Sequence, residues 1–410
     1  MPEKIWERRD FLKGAAVLGM SASSWSRAQG APLGAKDRLR LAVIGPGDRG
    51  RHVMGLFQKD PSVEVVALAD IWDEQIEKAK ALAPQAKTFR DYRKLLDEKD
   101  IDAVLIATPD HWHAPTAIRA LESGRDVYVE KPLTLAIPEG PRIVKAARVN
   151  GRVCQVGMQQ RSGKHYIRAK EEYIDSKRLG KITLVRTWWH GNSYHLRRAP
   201  AALESKPESL DWAAFLGRLK WRDWDPQQYW NWRAYLDFGG GQVTDLFTHW
   251  VDVVHMFMGY DIPTSAAASG GVYHYKDGRT APDTINVLLE YPDDYTVTFE
   301  ATLAPGIKGA SIEFCGTEGR LEIDREHYTF TSAEKGAKPV VTQAERGEGE
   351  KDLLTLDHVN NFLECVRTRR RPNGDVLVGH RSAQASHLGN IAYMEKRRIR
   401  FDPVREEIMP

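Results

Sequence analysis

A near-continuous apolar run, LRLAVIG over residues 39–45, passes directly into Gly45, Gly47 and Gly50 with the spacing G-x-G-x-x-G, and residues 51–58 continue as a helix. Glycines at these positions permit a tight turn, close approach of a pyrophosphate and packing of the helix on the strand. The first helical amides then face the phosphates. Pro46, Asp48 and Arg49 complete the turn. A second strand, VEVVALAD, ends in Asp70, twenty residues beyond Gly50. That spacing suits a carboxylate accepting hydrogen bonds from an adenosine ribose, and its charge repels a 2′-phosphate, which favours NAD over NADP. Arg49 keeps NADP open, because a guanidinium can meet a phosphate.

Strand and helix patterns then alternate, with helices expected over 73–82, 91–98, 114–123 and 138–150 and strands over 103–107, 126–129 and 153–156. This is the pattern of a doubly wound parallel sheet. ATPDHWH, residues 107–113, leaves a strand end and sets Thr108, Pro109, His111 and His113 against the nicotinamide half of a cofactor. For His113 a local hydrogen bond at a helix start is an equal reading. In DVYVEKPL the strand stops at Glu130, Lys131 and Pro132. Ligands of open α/β sheets bind beyond the carboxyl ends of the strands, so Glu130 and Lys131 are expected to project into the crevice.

At 410 residues the chain exceeds one ordinary core, and two domains are expected. Net charge of +3 and the lack of a basic tract with interleaved aromatics argue against a nucleic-acid partner. Cys154, Cys315 and Cys365 lie far apart without metal-ligand spacing, so neither a metal site nor a disulfide framework is indicated. Residues 1–30 read as an export leader: ERRDFLK, the apolar run AAVLGM, then small residues up to Ala28. The run is too short to span a bilayer, and no cysteine follows it to carry a lipid, so no membrane anchor is expected after cleavage near residues 28–31. Arg8, Arg9, Phe11, Leu12 and Lys13 resemble a twin-arginine signal, with Glu7 where Ser or Thr is common. A periplasmic or otherwise exported protein is the expectation.

The second half changes character. Strands expected over 183–189, 266–273, 284–290, 296–301, 310–316 and 320–323 follow one another with few helices between, giving an α+β domain on an open, mostly antiparallel sheet. Residues 334–351 read as a solvated loop, and helices over 353–367 and 376–395 return to the first domain. Residues 190–238 hold Trp212, Trp221, Trp224, Trp230 and Trp232, which suit either the C–H faces of sugars or a small core of their own. His190, Asn192, Tyr194 and His195 there are candidates for contacts to hydroxyls. Residues 242–258, entered through Gly239–Gly241, read as one buried helix. At roughly 100° per residue its polar stripe carries Asp245, His249 and Asp252. Such a stripe must meet other polar groups. Asp245 and His249 either satisfy each other or form the wall of a site opposite Lys131, where a carboxylate, an imidazole and a lysine can move an alcohol proton during hydride transfer.

Together, the glycine turn, Asp70, the Glu130-Lys131-Pro132 strand end, and Asp245 with His249 on one helix resemble the glucose-fructose oxidoreductase, inositol dehydrogenase and rhizopine-catabolism (Gfo/Idh/MocA) family over about residues 38–403. The resemblance implies a Rossmann domain over 38–157, an α+β substrate and oligomerisation domain over 158–375 with the Trp-rich insertion at 190–238, and a final helix and strand over 376–403. It implies that Lys131 bridges the nicotinamide ribose and the substrate hydroxyl, that His249 is the acid/base, and that Asp245 binds substrate or orients the proton path. Trp232 and Arg233 match a position that lines the family's pocket, and Arg161 after GMQQ is a further candidate. Homodimers or homotetramers joined through the open sheet are implied too. An exported enzyme of this kind has little free nicotinamide to exchange, so a tightly held NAD and a redox-neutral cycle are expected. A sugar oxidoreductase and a glycosidase that oxidises, eliminates, hydrates and reduces both satisfy that cycle. Lys131 tilts the choice to the oxidoreductase, and intact Lys131 and His249 count against a sensor without turnover.

Overall fold

The computed structural model describes residues 38–191, 193–259, 261–304, 309–345 and 352–410; the leader read into residues 1–30 lies outside them, as does Asn192. Six short strands, β1 (Leu39–Ile44), β2 (Val63–Ala69), β3 (Lys87–Phe89), β4 (Ala103–Ile106), β5 (Asp126–Val129) and β6 (Cys154–Val156), form one sheet in the order β3-β2-β1-β4-β5-β6. Every pairing in it is parallel. β4 and β5 are buried along their whole length, as strands covered on both faces must be. Helices α1 (Asp48–Phe57), α2 (Asp73–Lys80), α3 (Tyr92–Leu96), α4 (Asp110–Glu122) and α5 (Glu139–Val149) make the connections. The strand order reverses between β1 and β4, the switch point at which a doubly wound sheet holds its ligand.

After α6 (Lys164–Ala169) the chain builds a sheet of ten strands: β7 (Ile182–His190), β8 (Ser265–Gly271), β9 (Thr284–Tyr291), β10 (Tyr295–Thr302), β11 (Ala310–Gly316), β12 (Gly319–Ile323), β13 (His327–Ser332), β14 (Val340–Gln343), β15 (Ile399–Asp402) and β16 (Glu407–Met409). Only β7 and β10 pair in parallel; the rest of the sheet is antiparallel. β9 and β10 alternate strictly, burying Ile285, Val287, Leu289, Val297, Phe299 and Ala301 on one face. The expected loop over 334–351 is corrected in its described part, since β14 pairs with β13. That edge strand is exposed on both faces, so it carries no alternation for a sequence to show.

Between β7 and the buried helix lie α7 (Trp212–Leu216) and α8 (Pro226–Trp230) of the insertion; then come α9 (Thr248–Met258), α10 (Leu353–Thr368) and α11 (Val376–Glu395). The helix expected over 242–258 is continuous, with a π-helical turn at Val243–Phe247 running into α9. α10 returns to the first sheet, where Phe362 meets Phe57 and Tyr128 edge-on. α11 is buried nearly all round and belongs to both cores, with Ala383 against the first sheet and Ala385, Leu388 and Ala392 against the second. Glycine makes both approaches possible. A Cβ on Gly379 would lie 2.3 Å from Val156 of β6, and one on Gly389 would lie 2.8 Å from Val287 of β9.

Candidate active site

The turn after β1 is built around contacts too close for side chains. Gly45 has φ +78°, and a Cβ there would lie 2.8 Å from the Thr108 nitrogen; a Cβ on Gly50 would lie 2.4 Å from the Gly45 carbonyl. Gly47 differs, because a Cβ there would meet nothing within 4 Å. It is also the N-cap of α1 and offers no capping side chain, so the first-turn amides of a ten-residue helix open onto that space. Beside it, the Thr108 hydroxyl is buried and without a partner among the described residues. Arg51 braces the turn from behind, donating to the Pro46 carbonyl at 2.7 Å and pairing with Asp48 at 2.9 Å. An uncapped helix end, an open glycine and an orphaned hydroxyl fit a dinucleotide pyrophosphate. Asp70 ends β2, where its carboxylate accepts from the Trp72 amide at 3.0 Å.

On the cofactor side, Arg49 pairs with Glu130 at 2.9 Å and faces Asp352 at 3.7 Å. The His111 ring meets the Phe215 carbonyl at 2.7 Å and braces the insertion. The buried His113 ring meets the carbonyls of Pro132 and Thr108 at 2.6 and 2.8 Å, the local-bond reading of the two. It ties the backbone just after Lys131 to the turn that follows β4. Pro109 is the N-cap of α4.

Lys131 leaves β5 and points across the cleft to the π-helical turn, where Nζ donates to the Asp245 carbonyl at 2.7 Å and to Oδ1 at 2.5 Å. The other carboxylate oxygen, Oδ2, lies 2.9 Å from His195 Nε2, and Arg233 Nε stands 3.5 Å from Oδ1. Burial opposes ionisation of Asp245, but the charges of Lys131 and Arg233 and the His195 bond outweigh it and hold the carboxyl well below the usual range. Asp245 is therefore an anion at neutral pH. Asp110 shares the cluster with the opposite result: burial and the nearby Asp245 charge push it up to about 8, so it is largely a neutral acid. His249 lies beside this group. Its Nδ1 meets Gln160 Oε1 at 3.0 Å and so carries the proton, which leaves Nε2 as the acceptor. Burial, then the charges of Lys131 and Arg325, hold His249 well below its ordinary value and keep it neutral.

Asp245 and His249 do not satisfy each other; each has its own partner. Asp252, expected on the same stripe, is turned into the core, where Arg161 pairs with it at 2.7 Å and Ser382 donates at 3.0 Å. Arg161 is thereby committed to α9 and is corrected as a substrate ligand. Arg233 stays at the site, its guanidinium 4.2 Å over the Trp232 ring. His195 was grouped only with general hydroxyl contacts in the sequence; its pairing with Asp245, fifty residues on, had no local signal. Gln160 and Asp110 were missed for the same reason. Four of the five tryptophans of the insertion join a core of their own, with Trp212, Phe215, Leu216 and Phe238 packed with Trp72 and with Trp224, Trp230 and Trp232 half-buried against them, while Trp221 is exposed; Trp212 and Trp224 donate to carbonyls. Among the described residues no group of three His, Cys, Asp or Glu is placed to hold a metal.

Asp70 yields a pH prediction. Burial pushes its pKa up to about 7. The carboxylate accepts from ribose hydroxyls better than the neutral acid, so NAD affinity falls as pH drops through about 7. Isothermal titration from pH 6 to 8.5 checks this: Asp70→Asn binds more weakly and loses that component of the pH dependence.

The open phosphate turn at a switch point, faced by a Lys-Asp-His cluster from a second, sheet-based domain, defines a two-domain nucleotide-dependent redox protein. The family model for the oxidoreductase family with an NAD-binding Rossmann fold matches residues 39–158, and the GFO/IDH/MocA C-terminal domain matches residues 213–322. The chain belongs to the Gfo/Idh/MocA oxidoreductase family, and its cofactor is NAD. A scyllo-inositol 2-dehydrogenase (NAD(+)) of Bacillus subtilis is 25% identical over 342 residues, 82% of this chain and 88% of the relative. An inositol 2-dehydrogenase of Salmonella paratyphi B is 33% identical over 165 residues, 40% of this chain and 48% of the relative, so the match spans about half the length of that enzyme. A levoglucosan dehydrogenase solved with NADH and levoglucosan shares the fold with a TM-score of 0.71 at 19% identity, covering 89% of this chain and 99% of the other.

Proposed function

We propose that the protein oxidises a ring or anomeric hydroxyl of a sugar or sugar derivative by hydride transfer, outside the cytoplasm, with an NAD that stays bound and is recycled in place. The observation that carries the chemistry is Lys131 fixed by two bonds to Asp245 with the neutral imidazole of His249 alongside. When bound, NAD supplies the hydride acceptor. Two of the Lys131 N–H donors are taken by Asp245, which leaves the third for a substrate hydroxyl. The cation lowers the cost of developing negative charge on that oxygen, and His249 Nε2 accepts its proton as the carbon gives up hydride. Asp245 positions Lys131, and His195 positions Asp245.

The insertion supports retention. It is tied to the glycine turn by Arg197 to Asp48 at 3.0 Å, to the chain after Asp70 by the Asp211 amide to the Ile71 carbonyl at 3.0 Å, and to α4 by Trp112 to the Phe215 carbonyl at 2.9 Å. These three anchors flank the cofactor groove. The export-type leader supports the location, and a homo-oligomer joined through the open face of the ten-stranded sheet is part of the same reading.

Desalted mature protein is expected to carry NAD, and to turn over sugars without added cofactor or net NADH. Trp72→Ala, which removes the buried anchor of the insertion, is expected to speed NAD release at least tenfold, read by the loss of bound nucleotide on repeated desalting. Equal release from both proteins, or turnover only with exchangeable NAD, sinks the retained-cofactor reading. Free sugar released from glycosides without net NADH assigns a redox-assisted glycosidase instead, and sugar binding with no turnover assigns a sensor.

A further inference from the structure

Arg325 sits on the turn between β12 and β13, a hairpin of the second domain far in sequence from every residue of the cluster. Its side chain is solvent-exposed, and its guanidinium carbon lies 5.3 Å over the ring of Trp189. The same indole stands 6.0 Å from the His249 ring. One aromatic plate thus connects Arg325 with the proposed proton acceptor. The contact with Trp189, which also stands beside His249, sets Arg325 on the cleft side of the sheet, where the charges of Asp352, Arg49 and Asp245 act on it. Among the described residues it makes no ion pair or hydrogen bond through its guanidinium, whereas Arg49, Arg161 and Arg233 all have carboxylate partners.

The pairing of charges agrees. Lys131 and Arg233 both stand on Asp245, Arg49 is paired with Glu130 and faces Asp352, and Asp110 and His249 are largely neutral at pH 7, which leaves Arg325 as the cation without a carboxylate partner among these residues. An unpaired positive planar fork has no use for a neutral polyol, but it fits a carboxylate, which a guanidinium binds through two parallel N–H bonds. We infer that Arg325 is a specificity-determining residue that binds the carboxylate of an acidic sugar, a uronate, while the sugar ring lies along Trp189 and presents a hydroxyl to Lys131 and His249. This rests on the oxidoreductase reading for the reaction, but the binding claim stands on Arg325 itself.

The test uses three matched pairs: glucose and glucuronate, galactose and galacturonate, mannose and mannuronate. Binding to the NAD-loaded protein is read by tryptophan fluorescence, and oxidation by the single-turnover rise in absorbance at 340 nm as the bound NAD is reduced. In at least one pair the uronate is expected to bind on the order of 10- to 100-fold more tightly than its neutral partner, the range of a charge-assisted hydrogen-bonded pair. Arg325→Gln is expected to erase that preference and leave NAD affinity unchanged; Arg325→Lys restores part of the preference. No uronate preference in any pair, or a preference that survives Arg325→Gln, overturns the assignment. So does a loss of NAD affinity in Arg325→Gln, which would give the guanidinium to the nucleotide phosphates. Uronate binding that depends on Arg325 without any oxidation keeps the assignment and fails the oxidoreductase reading.

Discussion

Lys131→Met is expected to lower turnover by about a thousandfold, within the range for loss of a positioned proton-transfer and charge-stabilising group, while the protein stays folded. Methionine matches the length of the lysine stem and fills the same space without a charge. Asp245 would lose its nearest cation but keep His195 and Arg233, so the anion is not stranded in the interior. The loss should therefore appear in kcat, with NAD affinity and the far-UV circular dichroism melt changed little. The measurement is steady-state and single-turnover oxidation beside a melting curve. Full activity in the variant would remove Lys131 from the chemistry, and a collapsed melt would show that the pair serves stability instead. His249→Gln offers a second view: it keeps a hydrogen-bonding group opposite Gln160 but no basic nitrogen, so kcat should fall while folding persists.

The glycine turn gives the other large effect, and its two halves should separate cleanly. Gly50→Ala drives a methyl to 2.4 Å from the Gly45 carbonyl, a backbone atom that cannot rotate away. The turn must shift, at a cost of about 1–3 kcal/mol in stability, and nucleotide binding goes with it. Gly47→Val adds its side chain to space that no protein atom occupies within 4 Å. It should leave the melting temperature almost unchanged yet abolish detectable NAD binding, because the branched side chain stands where the pyrophosphate approaches. Calorimetric titration and differential scanning calorimetry on the two variants check the contrast. Normal NAD affinity in Gly47→Val would mean that the nucleotide does not lie against this turn.

What could be read from the sequence follows the range of the forces involved. The glycine turn, Asp70 and the β5 strand end are local patterns, each set by a few neighbouring residues, and the parallel sheet follows from their repetition. Lys131 and Asp245 were legible as partners because each stands out against an apolar element: a cation at the end of a buried strand, an acid in a buried helix. Asp252 stood out as well, but the π-helical turn at Val243–Phe247 breaks the uniform 100° step that placed it beside Asp245. Its partner Arg161 was a candidate through its place after GMQQ, which carries no sign of the pairing with Asp252 ninety-one residues on. His195 and Arg325 reach the site only because a long insertion and a distant hairpin fold over it, and no spacing in the chain encodes that meeting. The tryptophans were undecided between sugar stacking and self-packing, and Trp72, outside the insertion, decided it by completing their core.

Helix α11 has a consequence for how anything enters the cleft. With Gly379 seated on Val156 of one sheet and Gly389 on Val287 of the other, it is a crossbar wedged into both halves. Swinging the halves apart would tear close-packed contacts from two cores at once, a costlier motion than lifting the insertion, which is held by its small core on Trp72 and three polar contacts. On the proposed retained-cofactor reading the molecule is a fixed frame with a shutter rather than a pair of jaws, and release of the nucleotide is set by the insertion, not by the two halves.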